Sequence, residues 1–136
     1  MGAWSHESFG NDDACDFGSE LEESEDTAQI EAALDAVLSA GSGYLEAPES
    51  SVAIAAAEAV ARLQGNWGKR DAYSEPVDSW VAAVKLVPTA NLVAKAHQSL
   101  QRILTEPSEL LELWSESEDK GLWVAAVHEL KSRIRA

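Results

Sequence analysis

The chain has 136 residues, 46% of them hydrophobic and 25% charged, with a formal net charge of −14. A chain of this size can bury one core without the help of disulfides or metals, and its ordinary apolar fraction argues against wholesale disorder. So negative a field disfavours nucleic acid and anionic membranes as partners and favours a basic protein.

The charge is unevenly placed. Residues 1–61 hold fourteen Asp and Glu and no Lys or Arg, whereas residues 62–136 hold ten of each sign. The first half therefore carries the whole net charge, and one loose acidic stretch is expected there. Cys15 is the single cysteine, which excludes an intramolecular disulfide and fits a reducing, cytoplasmic setting. The N-terminus lacks the basic and apolar regions of a secretory signal. The longest nearly apolar run, 52–61, is interrupted by Glu58 and falls short of the roughly 20 residues a membrane-spanning helix needs.

In chain order, residues 1–10 read as an irregular arm, fastened to the core by the aromatic plugs Trp4 and Phe9. Asn11 is an N-cap, and Asp12 opens the acidic first turn of a helix over 12–23. Ile30, Ala33, Leu34, Val37 and Leu38 form one apolar stripe, so 27–40 is helical, with Asp26 and Gln29 in capping-box spacing and Gly41 as the stop. Pro48 then starts a helix over 49–64 that is alanine-rich and apolar nearly all round, which predicts a central position. Its one polar ridge is Glu58 with Arg62, four apart in the favourable order.

The stretch 65–75 has no period and reads as a loop pinned by Trp67 and Tyr73, Trp67 being the tryptophan expected to face a partner. Pro76 opens a helix with Val77, Trp80, Val81 and Val84 on one face. A further stripe runs over 89–105, a short helix follows Pro107, and Ser117 is the expected N-cap of the last helix. No segment alternates with period two. The expected fold is all-α: a single domain over 1–136, in which six or seven short helices form a compact bundle around the Ala-rich one, with the arm packed on it.

Chemistry-bearing constellations are few. Cys15 and His6 lie among carboxylates, yet capping and anchoring explain that segment without a metal or a nucleophile. His97 and His128 lack a His or Cys at ligand spacing, and no phosphate loop, nucleophile elbow or zinc-protease helix is present. Glu46, Glu49 and Glu58 could gather as paired carboxylates for acid-base work. The commoner arrangement is capping for the first two and an ion pair with Arg62 for Glu58.

Gly2-Ala3-Trp4, Phe9, Asn11-Asp12-Asp13-Ala14, Asp16-Phe17, Tyr44-Leu45-Glu46-Ala47-Pro48-Glu49 and Ile54-Ala55-Ala56-Ala57-Glu58 stand in the chain ahead of Ser108-Glu109-Leu110, Glu112-Leu113-Trp114 and Trp123. In this the chain resembles a bacterial family of uncharacterised proteins catalogued as domain of unknown function 4259. The resemblance spans nearly the whole chain and implies domain boundaries and a bacterial source, with no activity to transfer.

These readings lead to a non-enzymatic, acidic protein-binding module, of the kind that inhibitors and immunity proteins exemplify, docking on a basic partner. Its contact residues would be Glu20, Glu22, Glu23, Glu25, Asp26 and Trp67, with no catalytic residue, cofactor or metal. The alternative is a small enzyme built on Glu46, Glu49 and Glu58.

Overall fold

A computed structural model describes residues 3–135; Gly2 of the N-terminal motif lies outside them. Among the described residues there are seven helices, α1 (Asp12–Leu21), α2 (Ala28–Leu38), α3 (Ala47–Leu63), α4 (Glu75–Val84), α5 (Ala90–Ile103), α6 (Glu109–Ser115) and α7 (Lys120–Arg133). Among the described residues there is no sheet. Two isolated bridges, Ala3 with Asn11 and Leu45 with Ser108, are the only extended pairings among the described residues.

The alanine-rich helix is central, as its composition requires. All six other helices pack against α3. Ala53, Ala55, Ala56, Ala57, Ala59 and Ala61 are wholly inaccessible, and such small side chains let neighbouring backbones come close on every side. The larger apolar residues that fill the core come from the surrounding helices: Leu21, Leu34, Trp80, Leu100, Trp114 and Leu130 among them.

Helix ends follow local hydrogen bonding. Asn11 Oδ1 accepts from Ala14 N at 2.8 Å, Thr89 Oγ1 from Leu92 N at 3.1 Å and Ser108 Oγ from Leu111 N at 3.4 Å, each holding a first-turn donor that the helix itself leaves free. The start of α3 is capped from another helix, where Glu109 of α6 accepts from Ala47 N at 2.7 Å. The expected capping box at Asp26 does not form. Asp26 Oδ1 instead accepts from Ala28 N, two residues on, and the Thr27 side chain makes no cap bond. Ser117 does the same at the far end: its hydroxyl accepts from Asp119 N, and Asp119 takes the N-cap position of α7.

The arm is a closed loop. Trp4 N and Ser5 N both donate to Gly10 O, at 2.9 and 3.3 Å, and Gly10 N donates to Glu7 O at 3.0 Å. A Cβ at position 10 would lie 2.7 Å from Ser5 Cβ and Ser5 O, so the loop closes only on glycine. Phe9 is buried and plugs the arm into the core, as expected. Trp4 is not a plug. It is 50% exposed and packs its ring against Tyr73, centroids 5.4 Å apart.

Candidate functional site

A concave site of about 210 Å³ lies where the arm loop meets the 67–73 segment and α7, with Trp4 and Tyr73 on its rim and Glu58 and Arg62 in its wall. That wall is built on buried charge. Glu58, 4% exposed, accepts from Arg62 Nε at 3.2 Å, from both terminal nitrogens of Arg133 at 3.0 and 2.8 Å, and from Ser8 Oγ at 2.9 Å. Arg62, 2% exposed, also donates to Asp78 through Nη1 and to Lys69 O through Nη2. Asp78 accepts from Ser74 Oγ at 2.8 Å, and Arg133 Nε donates to Glu129 at 2.6 Å.

Burial alone would push the Glu58 carboxyl up. The Arg133 hydrogen bonds, the Arg133 and Arg62 charges and the Ser8 hydroxyl outweigh it and hold Glu58 below its usual value. For Arg133, burial opposes the charge, but the bonds to Glu58 and Glu129 win and fix the guanidinium more firmly protonated. Glu58 and Arg133 therefore meet as an ionised pair at neutral pH. The network leaves no buried side-chain nitrogen or oxygen without a partner among the described residues. Gly68 makes room for it, since a Cβ there would sit 2.8 Å from the Arg133 guanidinium.

The expected ion pair Glu58–Arg62 is present, and both side chains are buried. Arg133 is a cation in the last turn of α7. Its turn across the bundle to Glu58, 75 residues away in sequence, is a tertiary event with no local signal. The carboxylate cluster does not assemble. Glu46 and Glu49 are exposed at the opposite end of α3, about 13 to 18 Å along the axis from Glu58 at 1.5 Å per residue, so the proposed acid-base trio has no common site.

Trp67 is half-buried and not the exposed anchor the loop suggested. The guanidinium carbons of Arg70 and Arg62 lie 4.3 and 5.8 Å from its ring centroid. The exposed aromatics of this region are Trp4 and Tyr73, at 50% and 53%. His97 Nε2 hydrogen-bonds to Ile134 O at 2.6 Å. Among the described residues no group of three His, Cys, Asp or Glu side chains could hold a metal. Cys15 is partly buried, its thiol near Phe9 O; burial, then Asp12 and Asp16, push it up and away from nucleophile character.

The acidic segment is the second distinctive surface. Glu20, Glu22, Glu23, Glu25 and Asp26 are all exposed around the turn between α1 and α2. The segment is not a loose tail. Trp80 Nε1 donates to Ser24 O at 2.9 Å and Gln29 Nε2 to Phe17 O at 3.2 Å, so the turn is tied to α4 and α1. Among the described residues none of these five carboxylates has a cation within 4 Å. The ion pairs gather on Glu58, Asp78, Glu7, Asp71, Glu129, Glu31 and Asp35.

A family model matches residues 2–126 of the chain. The protein belongs to the family described as a domain of unknown function, DUF4259. No curated protein and no solved structure matches it. The DUF4259 match takes in the arm, Glu58, Arg62 and the 67–78 segment; Glu129 and Arg133, which close the charged network, lie beyond it. None of the seven helices is long and apolar enough to cross a membrane.

Proposed function

We propose that the protein is a non-enzymatic binding module that docks its acidic α1–α2 turn on a basic protein, in the manner of an inhibitor or immunity protein. The supporting observation is the contrast in partners. Five exposed carboxylates at 20–26 have no internal cation among the described residues, while Arg62 and Arg133 are directed inward to Glu58. Like charges crowded on a fixed turn raise the local potential, which speeds encounter with a cationic surface and is relieved when one binds. A small enzyme built on Glu46, Glu49 and Glu58 would need these carboxylates together, whereas Glu46 and Glu49 lie about 13 to 18 Å from Glu58 along α3.

The test is retention of proteins from the source cell on immobilised wild type and on Glu20→Lys/Glu22→Lys/Glu23→Lys, loaded at low salt and washed at high salt. The expected result is a basic protein held by wild type, released by salt and missed by the reversed variant. Equal retention by both, or no basic protein on either, would overturn the proposal.

A further inference from the structure

The concave site under the arm is separate from the acidic turn, and its chemistry selects for a particular group. Its buried Arg62 and partly buried Arg133 are engaged inward, Arg133 on Glu58 and Glu129 and Arg62 on Glu58, Asp78 and Lys69 O, so neither offers a donor fork to an incoming anion. Its outer carboxylates, half-buried Glu7 and exposed Glu129, are less fully used. Glu7 meets Lys69 through Oε1 and Glu129 meets Arg133 through Oε2, and among the described residues the second oxygen of each has no hydrogen-bond donor. Above them stand the half-exposed rings of Trp4 and Tyr73, 45° apart in plane. Negative ring faces beside carboxylates attract a cation with apolar edges. The protein's own Lys69 ammonium, 3.0 Å from Glu7 and 3.9 Å from Asp71, already sits against this wall. At about 210 Å³ the hollow is below the roughly 300 Å³ where drug-sized sites begin, which suits one side chain.

The geometry points to a pocket between Trp4, Tyr73, Glu7 and Glu129 that seats a single arginine side chain of a basic partner. It rests on the docking reading above and adds to it a defined anchor. The ten residues of α1 separate the arm from the acidic turn by about 15 Å, a span that four or five extended residues cover, so one basic segment can reach both. The Trp–Tyr rim supplies stacking for the guanidinium plane, and the two carboxylates supply charge.

The experiment is a titration of the whole protein with acetyl-Ala-Arg-Ala-amide, followed by amide and indole NMR, beside the citrulline analogue, which keeps the shape and lacks the charge. The arginine peptide should shift the Trp4 indole and the 5–10 and 71–73 amides and saturate in the millimolar range, with citrulline about tenfold weaker. Trp4→Ala and Tyr73→Ala, both at exposed rings, should weaken binding by a similar factor with unchanged melting. No saturating shift, or equal binding of the citrulline peptide, would overturn the pocket. Glu20→Lys/Glu22→Lys/Glu23→Lys should leave the tripeptide response intact. A saturating tripeptide response with no basic protein retained would overturn the docking reading alone, and a retained basic protein with a silent Trp4 would overturn the pocket alone.

Discussion

Two regions of this protein use carboxylates in opposite ways. Glu58 is walled off from water and held by two guanidinium groups and a hydroxyl, whereas Glu22 and Glu23 stand in solvent with no cation near them among the described residues. A buried charge is tolerated only where partners replace its hydration, so the interior network commits its cations to structure. The exposed turn has no such requirement, and its charge remains available to another molecule. Net charge alone would not separate the two roles; burial and partner geometry do.

Glu58 is where the interior network is most vulnerable. Glu58→Ala leaves Arg62 and Arg133 facing each other without their shared anion, and should cost about 3 to 5 kcal/mol in urea unfolding. A loss below about 1 kcal/mol would mean that water already reaches the network. The same carboxylate predicts acid lability. Its folded value lies below its unfolded one, so its stabilisation is fully present above the ordinary Glu range near about 4.3 and disappears as pH falls through the folded value. Unfolding free energies from about pH 6 down to about pH 3 should fall less steeply for Glu58→Gln than for wild type. Parallel curves would remove Glu58 from the acid response.

The arm sharpens the same division with uncharged groups. Phe9→Ala should cost about 3 to 4 kcal/mol, because the ring is 6% exposed and also packs beside Arg62, 5.6 Å from its centroid. Gly68→Ala should cost about 1 to 3 kcal/mol by pushing Arg133 off Glu58, and a neutral result would show that the guanidinium can move aside. Trp4→Ala should fall within about 1 kcal/mol of wild type in the same thermal or urea experiments. A large loss at Trp4 would place its ring in the core and close the pocket proposed beneath it.

Sequence reasoning read the helices well because their signals are local. The stripes of α2 and α5 and the all-round apolar surface of α3 follow from a 3.6-residue period, and that period specified a central helix and an all-α bundle. It failed where short-range hydrogen bonds compete, at Asp26 and Ser117, whose side chains bond two residues ahead in place of capping as expected. The site was half legible. Glu58 and Arg62 are neighbours on one helix, whereas Ser8, Asp78 and Arg133 reach them from the arm, α4 and α7, and no spacing rule encodes that convergence. Aromaticity was legible and exposure was not: Trp67 is half-buried because Arg62 and Arg70 flank its ring, while Trp4 meets Tyr73 at the surface.

If the α1–α2 turn holds its charge for a basic partner, affinity between the retained basic protein and two forms of this one, wild type and Glu20→Lys/Glu22→Lys/Glu23→Lys, should differ in its dependence on salt. Wild-type affinity should fall steeply between low and physiological salt, because exposed charges are screened over a Debye length of about 8 to 10 Å. The reversed variant should bind weakly with a flat salt profile while melting as wild type does. Coincident affinity curves for the two proteins would contradict the account.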